Sequence, residues 1–371
     1  MNHSAEILSR LLKQALWHDA GSGDAEWFGG VTDSEWTDVQ DLALRQNVAA
    51  IAFDALTELG IALPRAIKMR FISDTDRIES EYAAKLAAAV RLAGIFRRRG
   101  IGTMILKGLG LSLLYPKPNH RACCDIDIYL FGRQREGDEI MRREYGVAVD
   151  EGKHHHTVFH FGGTAVENHY DFIETHSRPS RSKLERRLKV MARAEQPMQI
   201  DLGDGVQIFI PSPNLNALFL TIHSGSHFAA SNISIKHLAD WSLFVAHYGG
   251  QVDWERFYAT ADEFGFRRYA EILNAMCIEY IGLQPIPQLA VAQDSDTVAR
   301  SLADVMEYGK RAIPSGFIKG WRYRIARRVA NTWKQRMVFR DGAVSSFIMS
   351  VATHLIKPKY WRRDESGQTF E

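Results

Sequence analysis

The sequence has few cysteines and no long hydrophobic run. Three of its 371 residues are cysteines, and two of these, Cys123 and Cys124, are adjacent. So few cysteines cannot form the disulfide framework of small secreted domains, and we expect a reduced, cytoplasmic protein. No uncharged apolar stretch reaches the roughly 18 residues that a transmembrane helix needs. The first residues are amphipathic and charged throughout, which is not typical of a signal peptide. We therefore expect no membrane partner.

The sequence also lacks an excess of charge of either sign. Its 46 lysines and arginines oppose 44 aspartates and glutamates, which leaves a formal net charge of +2. A strongly basic chain would indicate nucleic acid or an anionic membrane, and this balance gives no strong signal for either. Hydrophobic residues make up 46% of the chain and charged residues 24%, as in ordinary globular proteins. The length is sufficient for two or three structural units.

Apolar residues at helical spacing predict helices at both ends of the chain. In the N-terminal part they cover residues 3–19, 33–58 and 63–99, and Asp33 or Ser34 is the expected N-cap of the second helix. The third ends in a basic turn before Gly100, where glycine favours a helix stop. After Pro211 the predicted helices are 213–230, 234–248, 253–264, 267–281, 295–310, 317–335 and 342–355.

Short strands are predicted between the two helical parts. The expected strands are GIGTMIL (100–106), DIDIYLF (125–131), HTVFHF (156–161), TAVENHYDF (164–172) and the hairpin MQIDLGDGVQIFI (198–210), with helices at 107–115, 132–146 and 183–195. This order predicts an α+β fold. A small mixed sheet at 100–210 would be flanked by an N-terminal helical region, 1–99, and a C-terminal helical domain, 211–371.

Two aspartates interrupt the apolar pattern of DIDIYLF. Asp125, Asp127 and Tyr129 fall on one face of the predicted strand, and Ile126 and Ile128 fall on the other. Aspartate is rarely buried without a partner, and two neighbouring carboxylates repel each other unless a positive group lies between them. Mg²⁺ or Mn²⁺ is the expected group because hard divalent cations prefer oxygen ligands.

A cation site of this kind normally needs a third carboxylate from a neighbouring strand. TAVENHYDF offers Glu167, His169 and Asp171 on one face. We expect Glu167 to complete the site, with Asp171 as the alternative. Two metal ions held by these groups would activate an attacking hydroxyl and stabilise a pyrophosphate leaving group.

Basic residues near the acidic strand are candidates for phosphate binding. Lys107 and Gly108 lie between a predicted strand and a predicted helix, where backbone N–H groups favour an anion. Lys107 would counter the phosphate charge, and Arg121, in the loop before the aspartates, is a second candidate. Each motif alone is commonly structural; their order along the chain favours a metal–nucleotide site.

These motifs resemble an uncharacterised bacterial nucleotidyltransferase family of the DNA polymerase β-like superfamily. The matching residues are Leu106-Lys107-Gly108, Tyr115-Pro116, Arg121, Asp125-Ile126-Asp127 and Val166-Glu167-Asn168-His169. The wider superfamily has Gly-Gly or Gly-Ser where this chain has Lys107-Gly108. The resemblance covers about residues 80–280 and implies a nucleotidyltransferase palm, with His169 near the substrate.

A second group of polar residues lies in the C-terminal half. His223 and His227 are four apart on one predicted helix, and Lys236 and Asp240 are four apart on the next. The zinc-protease pattern is missing because Ser224 and Gly225 fill the interval between the histidines. A plain helix–helix contact is one interpretation. The similar family has comparable helices, which implies that all four residues bind the nucleotide or the acceptor.

A histidine-rich stretch, GKHHHTVFHF, precedes the second half of the sheet. His154, His155, His156 and His160 are capable of binding a transition metal, but a polar rim of the active-site cleft is the preferred interpretation.

Together these observations predict a Mg²⁺-dependent nucleotidyltransferase that moves a nucleoside monophosphate from an NTP to an unidentified acceptor. The alternative is a catalytically degenerate member that binds nucleotide and regulates a partner. A metal phosphohydrolase is a third, less favoured interpretation. The near-neutral charge counts modestly against a long nucleic acid as acceptor.

Overall fold

The computed structural model describes residues 3–18, 25–175, 178–202, 205–309, 322–323, 326–327 and 329–341. Four helices precede the sheet: α1 (His3–Trp17), α2 (Asp33–Arg45), α3 (Ala49–Glu58) and α4 (Arg65–Arg98). The long α4 ends at its basic last turn, and Gly100 follows with φ of +66°, which is the glycine stop expected from the sequence.

The single helix predicted over 33–58 is wrong, because the chain forms two helices there. Asn47 adopts φ of +60° between α2 and α3. The side chain of the buried Gln46 accepts a hydrogen bond from Ile235 N–H and donates one to the Val305 carbonyl, so this junction is held by distant parts of the chain. The N-cap of α2 is Thr32 rather than Asp33 or Ser34. Its side chain and that of Glu35 form a reciprocal capping box.

The central sheet has seven strands and is mixed. They are β1 (Met104–Ile105), β2 (Ile126–Tyr129), β3 (Val149–Asp150), β4 (His156–Phe161), β5 (Thr164–His169), β6 (Met198–Asp201) and β7 (Gln207–Ile210), in the order β3-β4-β5-β2-β1-β7-β6. The β2–β5 and β1–β7 pairs are parallel, and the other pairs are antiparallel. The predicted α+β class with a small mixed sheet is confirmed.

Three helices are inserted between strands: α5 (Leu109–Ser112), α6 (Gln134–Tyr145) and α7 (Pro179–Ala194). The helix predicted at 107–115 is therefore much shorter than expected. The α-helices after the sheet whose bounds the structure describes are α8 (Pro213–Ala230), α9 (Ile235–Tyr248), α10 (Trp254–Phe264), α11 (Arg267–Met276), α12 (Ser295–Met306) and α13 (Thr332–Val338). The helix predicted at 342–355, and much of the one at 317–335, lies outside the described residues. Of the helices described, none has the length and apolar character required to cross a membrane.

The two faces of the sheet pack against different helices. Ile126 and Ile128 of β2 belong to a core with α4 and α6. Tyr129 belongs to the larger core of the terminal helices, where its neighbour Phe172 contacts Phe219 of α8. Because side chains alternate along a strand, Asp127 shares the face of Tyr129. This alternation directs Asp127 towards α8. The domain limits at residues 99 and 210 stay a prediction.

Candidate active site

The pairing of β2 with β5 brings two carboxylates together. Asp127 and Glu167 are partners in the parallel register of these strands. Ligand atoms of Asp127, Glu167 and His169 all lie within 4.8 Å of one another. Asp127 is only 1% exposed, so its charge needs compensation from the protein or from a bound ion. We call these three residues the carboxylate group.

His169 links the two carboxylates. Its Nε2 lies 3.1 Å from Asp127 Oδ1 and 3.5 Å from Glu167 Oε2, and its Nδ1 lies 3.2 Å from the Asp171 carbonyl oxygen. Burial alone would lower the pKa of His169, but the hydrogen bonds to Asp127 and Glu167 raise it to about 9. Burial would raise the pKa of Glu167, and His169 with the other positive charges lowers it to about 2. At neutral pH the imidazole is protonated and Glu167 is ionised.

Lys107 supplies the second positive charge. Its Nζ lies 3.1 Å from Asp127 Oδ1 and 3.4 Å from His223 Nε2. Burial opposes protonation, but the nearby carboxylates outweigh it and raise the pKa of Lys107. Gly108 follows with φ of +56° and ψ of −112°, a backbone conformation that favours glycine. Because α5 has only four residues, the expected phosphate site depends on Lys107 more than on a helix N-terminus.

Asp125 and Asp171 differ in their relation to the carboxylate group. Asp125 directly precedes β2 and does not belong to the carboxylate group. Burial and the negative charge of Asp127 raise the pKa of Asp125. Asp171 instead forms an ion pair with Lys189 of α7. The geometry thus favours Glu167 over Asp171 as the carboxylate that accompanies Asp127.

Arg121 and Asp240 bind each other. Arg121 donates from Nε and Nη2 to the two oxygens of Asp240, each at 2.7 Å, and Tyr115 donates to the same carboxylate at 2.7 Å. Arg121 is 4% exposed. On α9, Lys236 donates to the Ala122 carbonyl at 3.2 Å. These contacts tie the loop before β2 to α9. Substrate binding by Arg121, Lys236 and Asp240 stays a prediction, and bracing is the role that the contacts indicate.

Three histidines of α8 and α9 form a cluster, and one of them, His223, contacts Lys107. The ring centroids of His223 and His227 are 4.5 Å apart, and His237 lies 6.5 and 6.2 Å from them. Burial lowers the pKa of all three histidines. The pKa falls to about 4 for His227 and to about 3 for His237, and that of His223 lies well below its usual value. These rings are neutral at physiological pH. Sequence reasoning missed His237, although its position one residue after Lys236 was a usable signal.

The carboxylate group is suitable for a hard divalent cation. Asp127 Oδ2 is buried and has no hydrogen-bond partner among the residues that the structure describes. An unpaired, buried carboxylate oxygen is unusual unless something binds it. Asp127 and Glu167 would hold Mg²⁺ through oxygen, and Asp125 interacts with Asp127 electrostatically but lies outside this group.

The arrangement defines a class of protein. Carboxylates on two neighbouring parallel strands of a mixed sheet agree with the nucleotidyltransferase palm that the sequence resemblance implies, although Lys107-Gly108 stands where the wider superfamily has Gly-Gly or Gly-Ser. The model of a family described as uncharacterised nucleotidyltransferases matches residues 32–282, and the chain belongs to this family. Membership supports nucleotidyl transfer as the general activity. No curated protein and no solved structure matches the chain.

Proposed function

We propose that this protein is a Mg²⁺-dependent nucleotidyltransferase that transfers a nucleoside monophosphate from an NTP to an acceptor hydroxyl or phosphate. The observation that carries this proposal is the buried Oδ2 of Asp127, which lies beside Glu167 and has no hydrogen-bond partner within the described part of the chain. Mg²⁺, when bound there, would neutralise the phosphates and stabilise the pyrophosphate leaving group. In the reaction, the acceptor oxygen bonds to the α-phosphorus, the bond to the β-phosphate bridging oxygen breaks, and the acceptor proton is released.

The residues of the chain have separate tasks in this proposal. Asp127 and Glu167 hold the cation, and the low pKa of Glu167, about 2, suits a ligand better than a proton acceptor. Protonated His169 orients both carboxylates. Lys107 would exchange part of its contact with Asp127 for a phosphate oxygen. Catalysis would then consist mainly of positioning and charge neutralisation.

One observation favours the second candidate, a degenerate nucleotide-binding regulator. Lys107 and His169 both contact Asp127 Oδ1, so the chain already supplies positive charge where a cation would bind. In a regulator this internal compensation would replace the metal ion. Nucleotide would still bind, but no pyrophosphate would be released.

The test measures nucleotide binding and turnover on the same preparations. Four proteins are incubated with each α-labelled NTP, Mg²⁺ and a protein-free cell extract that supplies acceptors: wild type, Asp127→Asn, Glu167→Gln and the control Asp201→Asn on the exposed edge strand β6. We expect pyrophosphate release by wild type and the control, and its loss in the two site variants with unchanged folding. NTP-dependent thermal stabilisation without pyrophosphate release would support the regulator. Equal turnover by Asp127→Asn would refute the proposed site.

A further inference from the structure

Three histidines meet at one end of the β4–β5 hairpin. His156 and His169 are direct partners in its antiparallel register, and His155 immediately precedes β4. The ring centroids of His155 lie 4.4 Å from His156 and 5.3 Å from His169, and those of His156 and His169 are 5.1 Å apart. One ligand nitrogen from each ring lies within 4.8 Å of the other two. We call these residues the histidine group.

Two of these rings have buried nitrogens without hydrogen-bond partners among the residues that the structure describes. His156 is 6% exposed, and neither of its ring nitrogens has a hydrogen-bond partner in the described parts of the chain. His155 Nδ1 is likewise buried and unpartnered there. The backbone of His155 is fixed, because its carbonyl accepts hydrogen bonds from Tyr170 and Asp171 N–H. Native proteins rarely bury polar atoms in this way, so the pattern points to a ligand.

The chemistry of the group selects the type of ligand. Three imidazoles suit Zn²⁺ and similar transition metals, whereas Mg²⁺ prefers oxygen. Glu167 Oε1 lies 3.5 Å from His156 Nε2, so a carboxylate is available beside the rings. The negative charges of Asp127 and Glu167 also offset the positive charge of Lys107 nearby, which would otherwise repel a cation.

We propose that His155, His156 and His169 form a binding site for one transition-metal ion of the Zn²⁺ type. This site differs from the carboxylate group in its two further nitrogen ligands, His155 and His156, and the two sites share His169. An ion bound to His169 Nε2 would displace the proton of that nitrogen to solvent and replace its hydrogen bond to Asp127. The proposed metal site does not depend on the proposed nucleotidyl transfer, so metal binding can be measured whether or not the protein transfers nucleotides.

The experiment measures metal binding to the untagged full-length chain after chelator treatment. Calorimetry with Zn²⁺ and visible absorption with Co²⁺ report affinity, stoichiometry and coordination geometry. We expect one ion per chain, with intense Co²⁺ bands that indicate fewer than six ligands and that excess Mg²⁺ does not remove. His155→Gln and His156→Gln should each weaken Zn²⁺ binding by roughly tenfold or more, because even the loss of a residue that only orients a metal ligand lowers affinity by about that factor.

Two control variants separate this site from other histidines. His160→Gln changes an exposed ring on the same strand, and His247→Gln changes an exposed ring on α9; both should bind Zn²⁺ like wild type. Circular dichroism verifies that each variant is folded, and the half-buried His155 provides the test if His156→Gln does not fold. Absence of Zn²⁺ binding by wild type would overturn the proposal. Unchanged affinity in folded His155→Gln, or equal weakening in either control, would also overturn it.

Discussion

The ammonium group of Lys107 lies 3.1 Å from Oδ1 of Asp127, a carboxylate that is almost wholly removed from solvent. The central acidic residue of the candidate site is therefore already paired with a cation of its own chain. In the proposed function, a divalent ion would share Asp127 with Lys107 and His169, and Oδ2 is the oxygen without a hydrogen-bond partner among the described residues.

The first prediction concerns the removal of this internal cation. Lys107→Met leaves Asp127 with less compensation, and breaking a buried ion pair costs about 3 kcal/mol or more. We expect a lower free energy of unfolding without divalent ions, and a larger stabilisation by Mg²⁺ or Mn²⁺ than in wild type. Thermal melts with and without metal ions measure both effects.

Lys183→Met is the matched control for this measurement. Lys183 pairs with Glu263 at the surface, and such pairs contribute about 1 kcal/mol or less. If Lys107→Met and Lys183→Met responded alike to Mg²⁺, Asp127 would not be the cation ligand.

The second prediction concerns the brace between Arg121 and Asp240. Arg121→Lys keeps the charge but loses the two-pronged contact with the carboxylate, so we expect a loss of about 2–4 kcal/mol in urea unfolding. A double-mutant cycle with Asp240→Asn should give a coupling of about 1 kcal/mol or more. Additive effects would show that the two side chains do not depend on each other.

The third prediction concerns the turn that carries Lys107. An added Cβ at Gly108 would lie 3.5 Å from the Asp125 carbonyl oxygen, so space is sufficient and the cost comes from the backbone conformation. Gly108→Ala should lower the free energy of unfolding by about 1–3 kcal/mol. Gly29→Ala, where a methyl group meets no atom within 4 Å, is the control. Equal stability of the two variants in urea would argue against this turn geometry.

The fourth prediction concerns pH. His120 lies between Asp54 at 2.7 Å and Glu79 at 2.8 Å and so joins α3, α4 and the loop before β2. Burial would lower the pKa of His120, but these hydrogen bonds raise it above the unfolded value near 6.5. The stabilising contribution is therefore full below about pH 6.5 and is lost as the pH rises through the folded pKa.

His120→Gln should remove this pH dependence, so the difference in unfolding free energy between wild type and variant shrinks as the pH rises. Urea unfolding across the neutral to alkaline range measures it, with His160→Gln as the exposed control. A constant difference across that range would mean that His120 is not protonated in the fold.

Much of the architecture followed from local patterns. The predicted strand 156–161 matches β4, because its alternation is strong and Gly162 marks its end. The predicted helix 213–230 matches α8, because its helical periodicity is strong and Pro213 marks its start. The break between α2 and α3 was not predictable, because the bonds that fix Gln46 come from Val305 and Ile235. The two-residue strand β3 is too short to show a period.

The candidate site was predictable in composition and less so in its pairings. The alternation in β2 and β5 predicted which side chains share a face within each strand, and so grouped Asp127 with Asp125 and Glu167 with His169. The strand order of the folded sheet then shows that Asp127 and Glu167 are direct neighbours. The partners of Arg121 could not be inferred, because Asp240 is 119 residues away. His155 and His156 carried a visible signal, yet their approach to His169 depends on the hairpin register.

The parallel pairing of β2 with β5 also has a consequence for biosynthesis. Asp127 and His169 are 42 positions apart in the sequence. Strand β5 can pair with β2 only after the connecting segment, which contains α6, β3 and β4, has been made. Contacts of such sequence separation form slowly. While the ribosome is still extending the segment between these strands, the emerging chain contains Asp127 but not yet Glu167 or His169. The nascent polypeptide therefore cannot assemble the candidate site until the β4–β5 hairpin has been synthesised and folded.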